Sequence, residues 1–171
     1  MNYFNTKFFK IITAFFTFLL FISCHLFNNK NTYLVGKIVK KTNDKISILK
    51  DEKIIKETSI SEDGNFYLEL DSITNGLYNF KHLPEFQYIM LDKGDSLVLR
   101  LNALDFDESL VFNGTGAAKN NYLIDIFLNH EKEEGFLNLN LKQNPLTFKN
   151  IIDSLLIFKI DRFNNFKKTN K

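Results

Sequence analysis

One cysteine, Cys24, stands in 171 residues. No disulfide can form within the chain, no Cys-x-x-Cys pair can do redox work, and no cysteine cluster can close a zinc site. Tryptophan is absent and proline occurs twice, a skew that fits an AT-rich coding bias and carries no structural meaning. The three histidines, His25, His82 and His130, are far apart and form no i, i+4 metal pair. No serine lies in a nucleophile-elbow sequence. Acid–base, metal and nucleophile chemistry all lack a constellation to carry them, so no catalytic residue and no cofactor is assigned.

Long apolar runs are also missing, with one short exception. Ile11 to Ile22 is twelve residues without a charge, rising about 18 Å as a helix against the ~30 Å a spanning helix must cross. Lys7 and Lys10 precede it, and Ser23-Cys24 follows. A basic n-region, a short apolar h-region and a small residue at the cut site describe a secretory signal peptide. Phe21-Ile22-Ser23-Cys24 resembles the lipobox of bacterial lipoproteins, with Phe21 where leucine is usual. That resemblance implies cleavage between Ser23 and Cys24, and acylation of Cys24 as the anchor to a lipid bilayer. Several acyl chains, at ~0.8 kcal/mol per buried methylene, make such attachment effectively permanent.

Removing residues 1–23 takes Lys7 and Lys10 with it. The remaining 148 residues carry 20 basic and 20 acidic groups, so the formal charge falls from +2 to zero. A neutral chain gives no electrostatic case for nucleic acid. The charge is unevenly spread: residues 32–112 hold 10 basic and 14 acidic groups, whereas residues 145–171 hold 6 and 2.

Residues 24–31 form a short tether. From 32 to 112 the chain is a run of short β-type segments: 33–40, 45–50, 53–60, 66–70, 77–82, 86–91, 96–101 and 109–112. Turn chemistry separates them, with Asp63-Gly64-Asn65 a strong signal and Asn75-Gly76 the best hairpin signal in the chain. Eight such runs at spacings near 8 to 12 residues predict a mainly β fold, an antiparallel β-sandwich or open barrel followed by two C-terminal helices. The first helix is read over 117–130, on Tyr122, Leu123, Ile126 and Phe127. Residues 131–144 are polar and poorly periodic, suited to a strand or packed loop. Asn144-Pro145 then opens a final helix. Its face Phe148, Ile152, Leu156, Ile160 and Phe163 is broadened by Ile151, Leu155 and Phe158, and calls for a covering surface.

Two motifs invite chemistry and fail its tests. Gly114-Thr115-Gly116 lacks the Gly-Lys-Ser/Thr of a phosphate loop and the third glycine of a dinucleotide fingerprint, so it reads as a strand-to-helix turn. Asp105-Phe106-Asp107-Glu108, with Asp92 and Asp95 in another loop, follows no calcium-loop spacing and reads as solvated turns.

Four blocks carry a family resemblance: Leu34-Val35-Gly36-Lys37-Ile38, the turn from Glu62 to Tyr67, the run from Asp92 to Leu97, and the run from Leu110 to Leu123. Together they resemble the N-terminal part of Bacteroidetes-type thioredoxin-like lipoproteins, the thiol:disulfide interchange proteins. The resemblance implies a β-sandwich-like domain (32–112) and a helical connector (113–171) ahead of a thioredoxin domain, and this chain stops in the connector. It is thus expected to be either a stand-alone accessory lipoprotein or a piece of a longer reading frame. Surface-exported lipoproteins of such bacteria resemble one another in acidic residues after the cysteine. Residues 25–31 have none, which implies the periplasmic face of the outer membrane. The expected function is a non-enzymatic module that binds a protein partner through its last helix. The alternatives are the non-catalytic half of a truncated oxidoreductase and a glycan- or peptide-binding sandwich, to which no aromatic platform in the sequence points.

Overall fold

The computed structural model describes residues 31–170. The lipidation and cleavage residues, Ser23 and Cys24, lie outside them. Eight strands occur: β1 (Thr32–Val39), β2 (Lys45–Lys50), β3 (Lys53–Ser59), β4 (Asn65–Leu70), β5 (Gly76–His82), β6 (Glu85–Leu91), β7 (Ser96–Asn102) and β8 (Val111–Gly114). A one-turn helix α1 (Phe106–Ser109) sits between β7 and β8, and two long helices follow, α2 (Ala117–Asn140) and α3 (Pro145–Thr169). The strands form two four-stranded sheets, ordered β4-β1-β7-β8 and β3-β2-β5-β6. This is the sandwich that the alternating pattern predicts.

Period-two alternation decides what is buried. In β7, Leu97, Leu99 and Leu101 point inward and Val98 and Arg100 outward. Leu34 and Ile38 of β1 and Leu68 and Leu70 of β4 join them from the first sheet. Ile46, Ile48, Phe80, Ile89 and Leu91 face them from the second. Gly36 of β1 lies opposite Leu99 of β7. A Cβ there would lie 2.4 Å from the Leu99 carbonyl oxygen, so only glycine fits.

Pairing follows a less local logic. Most neighbours are antiparallel, but β1 and β7 run parallel, from Tyr33 opposite Ser96 to Val39 opposite Asn102. The whole β2–β6 excursion lies between them in sequence. Alternation fixes the face a strand buries and leaves its partner open.

Asn75-Gly76 does not make the expected hairpin. Strands β4 and β5 belong to different sheets, and the segment between them crosses the sandwich with Ile73 buried. The dipeptide's turn chemistry is local, whereas the buried faces of β4 and β5 commit those strands to opposite layers. The tight hairpins lie elsewhere. Asp51-Glu52 joins β2 to β3 with both residues left-handed, at φ 48° and 65°. Leu83-Pro84, a cis bond, joins β5 to β6.

Helix α2 runs on to Asn140, ten residues past the boundary read from periodicity. Most of the segment 131–140 faces solvent, and Glu133 there pairs with Lys159 of α3. Asn144 caps α3 as expected: its Oδ1 accepts from the Thr147 N–H at 2.9 Å, and Pro145 fills the first turn. Lys167 and Lys168 lie in the last turn, where cations oppose the helix dipole. No described helix is long and apolar enough to cross a membrane.

Candidate functional site

The Gly-Thr-Gly turn and the residues after it form a joint between sheet and helix. Gly116 is the N-cap residue of α2 at φ 85°, and a Cβ there would come within 2.6 Å of an Asp95 carboxylate oxygen. The bend delivers three consecutive side chains to three places. Lys119 Nζ lies 2.6 Å from Asp92 Oδ2 and 2.6 Å from Asp95 Oδ2. Asn120, 1% exposed, accepts from the Met90 N–H at 2.7 Å and donates to the Met90 carbonyl at 2.8 Å. Asn121 does the same to Phe112, at 2.9 and 2.8 Å.

Met90 is on β6 and Phe112 on β8, the terminal strands of the two sheets on one side of the sandwich. Two adjacent amides thus stand in for a missing strand on each edge, and Ile124 closes the gap between them from the same helix. Asp95 also accepts from the Asp92 N–H at 2.9 Å, and Thr32 Oγ1 donates to the Asp92 carbonyl at 3.0 Å. The Gly-Thr-Gly turn and the Asp92–Asp95 loop therefore meet at Lys119, which binds both carboxylates, whereas the Asp105–Glu108 run lies apart and Asp107 there bonds Gln87. Their work is architectural.

Helices α2 and α3 form an antiparallel hairpin. Tyr122 stacks on Phe166 with ring centroids 4.1 Å apart, and Arg162 pairs with Asp125 and Lys159 with Glu133. Of the five residues expected on the docking face, Phe148 is half-buried. Ile152, Leu156, Ile160 and Phe163 remain 38%, 55%, 50% and 49% exposed. The half-buried positions of α3 are Phe148, Ile151, Leu155, Arg162 and Phe166, one step around the helix from the expected stripe. The apolar arc is wider than one neighbour can cover, so α2 takes its edge and leaves the centre open.

Sequence reasoning missed a second surface. On the outer face of the second sheet, Leu49, Leu77, Asn79, Lys81, Phe86 and Tyr88 line an open groove of about 500 Å³. The Phe86 and Tyr88 rings meet edge to face with centroids 5.9 Å apart. Among the described residues the Asn79 Oδ1 is buried there without a hydrogen-bond partner. The signal was present in β6: Gln87, Ile89 and Leu91 point inward, and Phe86, Tyr88 and Met90 are exposed on the opposite face.

The remaining candidates are accounted for locally. His82 is buried, accepting from the Thr42 N–H at 3.2 Å, with Nδ1 3.1 Å from the Lys45 carbonyl. Both ring nitrogens are engaged in holding the β1–β2 turn. Asp107 accepts from the Gln87 amide at 2.9 Å. Burial pushes its carboxyl above the ordinary carboxylate range, the Gln87 bond opposes that, and Glu108, Glu131 and Glu85 add to it. Among the described residues no three His, Cys, Asp or Glu side chains gather as a metal site. No protein-family model matches the chain, and a search of curated proteins returns no relative.

Proposed function

We propose that this chain is a non-catalytic interaction module, held by acylated Cys24 at the periplasmic face of the outer membrane and offering its helical hairpin to a protein partner. The observation that carries the reading is the open half of α3. Four large apolar side chains at helical spacing stand between 38% and 55% exposed, on an element that folds back on α2 rather than on the sandwich. Isolated exposed leucines need no explanation, but a contiguous apolar patch on a helix marks an interaction surface.

A soluble form beginning at His25 tests it. That form should bind a hydrophobic dye, and Leu156→Glu with Ile160→Glu should remove most of the signal without changing the far-ultraviolet spectrum. Dye binding that is absent, or indifferent to both substitutions, would sink the partner reading. In the full chain, Cys24→Ala should abolish lipid labelling and pelleting with membranes.

A second reading, the N-terminal non-catalytic half of a thioredoxin-like oxidoreductase, is supported by where the resembling blocks fall. Gly36, Asp92, Asp95 and the segment from Gly114 to Asn121 all serve close approaches or joints of the fold. Such residues speak for shared architecture, and the coding sequence beyond Lys171 separates this reading from the first. Glycan or peptide binding draws support from the Phe86–Tyr88 groove alone.

A further inference from the structure

The exposed half of the hairpin has dimensions and charge that select an occupant. At 100° per residue, Ile152, Leu156, Ile160 and Phe163 fall within about 80° of arc beside the seam with α2. Phe163 and Ile126 of α2 line the same shallow groove across that seam, with a volume of about 210 Å³. The helices are 24 and 25 residues long, so each spans about 36 Å, and side by side they are about 20 Å wide. One face of the pair offers roughly 700 Å², and two such faces together would bury on the order of 1,400 Å², within the range of a specific interface.

Charge then chooses the arrangement. With the charges already paired within the chain set aside (Lys119 to Asp92 and Asp95, Asp125 to Arg162, Glu133 to Lys159), helix α2 keeps Lys132 against Glu131 and Glu134, a net of −1. Helix α3, with Lys149 paired to Asp153 and with Lys159 and Arg162 paired to α2, keeps Lys167 and Lys168 against Asp161, a net of +1. Two identical hairpins can meet face to face in two ways. With the dyad across the helices, α2 lies on its own copy and α3 on its own copy, like charge on like. With the dyad along the helices, α2 of each copy lies antiparallel on α3 of the other, opposite charge on opposite. The second arrangement also leaves both sandwiches at the same end of the bundle, as two chains anchored in one membrane require.

We propose that the partner of this face is a second copy of the chain, the two hairpins closing into an antiparallel four-helix bundle with its dyad parallel to the helices. The proposal rests on the interaction-module reading above and names its partner. Under this geometry α3 and its copy run parallel at equal height, so a residue facing the bundle axis meets itself at both ends of the stripe. With the dyad across the helices, such self-contacts are confined to one level.

The test uses the full chain in its membrane. Ile152→Cys, Phe163→Cys and Phe158→Cys are made singly and treated with a short bismaleimide, the parent with Cys24 alone serving as control. Cross-linked dimer at both 152 and 163, lost when Leu156→Glu is added and absent at 158 on the far flank, supports the bundle. Cross-linking at none of the three, or equally at all three, overturns it. Cross-linking at only one end overturns the dyad direction and with it the proposal. If the dimer fails while the soluble form still binds dye through Leu156 and Ile160, the second copy is excluded and the wider partner reading stands. If dye binding fails too, both fall.

Discussion

At the scale of single residues, the side chains that matter most are polar ones doing backbone work. Asn120 satisfies both the N–H and the carbonyl of Met90 on an edge strand. Truncating it leaves two partly buried main-chain groups unpaired, each costing about 1–3 kcal/mol. Asn120→Ala should therefore destabilise the fold by about 2–4 kcal/mol, read from the urea midpoint at unchanged slope. Asn121→Ala, at a more exposed position, should cost less. Asp107 gives a pH prediction. Burial raises its folded-state pKa, so the folded state holds this proton more tightly than the unfolded chain does. The resulting stabilisation is complete below the unfolded pKa and is lost as pH rises through the folded one. Asp107→Asn keeps an acceptor for Gln87 and removes the half-buried charge. It should raise stability at neutral pH and bring little change at about pH 3, where the native carboxyl is already protonated. Equal effects at both pH values would refute the assignment. Neither asparagine's role was legible in the sequence, because an asparagine pair after a glycine turn looks the same whether it faces water or plugs two strand edges. Lys119 shows the converse: Asp92, Asp95 and Gly114-x-Gly116 were visible as motifs, but only the fold brings them to one ammonium group.

At the scale of elements, strands were legible and their connections were not. All eight observed strands overlap the runs read from alternation, because the inward positions of β4 and β7 are apolar at every second residue and β1 adds Leu34 and Ile38 at the same period. The turn between β2 and β3 falls at Asp51-Glu52, between the runs 45–50 and 53–60 read from the sequence, although its residues are the wrong ones for its shape. Asp51 and Glu52 both hold positive φ, a geometry suited to Asn-Gly, and a left-handed glutamate costs about 1 kcal/mol or more. The β2–β3 ladder from Lys45–Ser59 to Lys50–Lys53 holds the turn in place despite that cost. Glu52→Gly should relieve the strain, raising stability by about 1 kcal/mol and the melting temperature by about 2–4 °C for a domain of this size. A lower melting temperature would mean that the Glu52 side chain contributes more than its backbone costs. The far half of α2 was missed because residues 131–140 are polar and poorly periodic, although Lys159 of α3 holds Glu133 there.

At the scale of the whole molecule, the described chain divides into a dense sandwich and a hairpin that leans on it at one joint. The sandwich core draws on both sheets, and only Ile124 of the long helices joins its fully buried apolar set. Helix α3 has no fully buried residue; its ties run to α2 through a half-buried edge at Phe148, Ile151 and Leu155, the Tyr122–Phe166 stack and two ion pairs. Exposed ion pairs contribute little, typically below about 1 kcal/mol each, so α3 should open far below the global unfolding free energy. Amide exchange on the soluble monomer should rank β1 and β7, at the centre of the first sheet, as slowest. The first turns of α2 should follow, and α3 should be fastest among the helices. The distal half of α2 should exchange with α3, since each is the other's main support, whereas the segment around Asn120 should exchange with the sheets it staples. This ordering also connects stability to use. An element left half-covered and loosely held gains most from a partner, because binding supplies the burial that its own chain does not. Slow exchange across α3 in the isolated monomer would remove that logic, since a helix already stable alone has no such need of a covering surface.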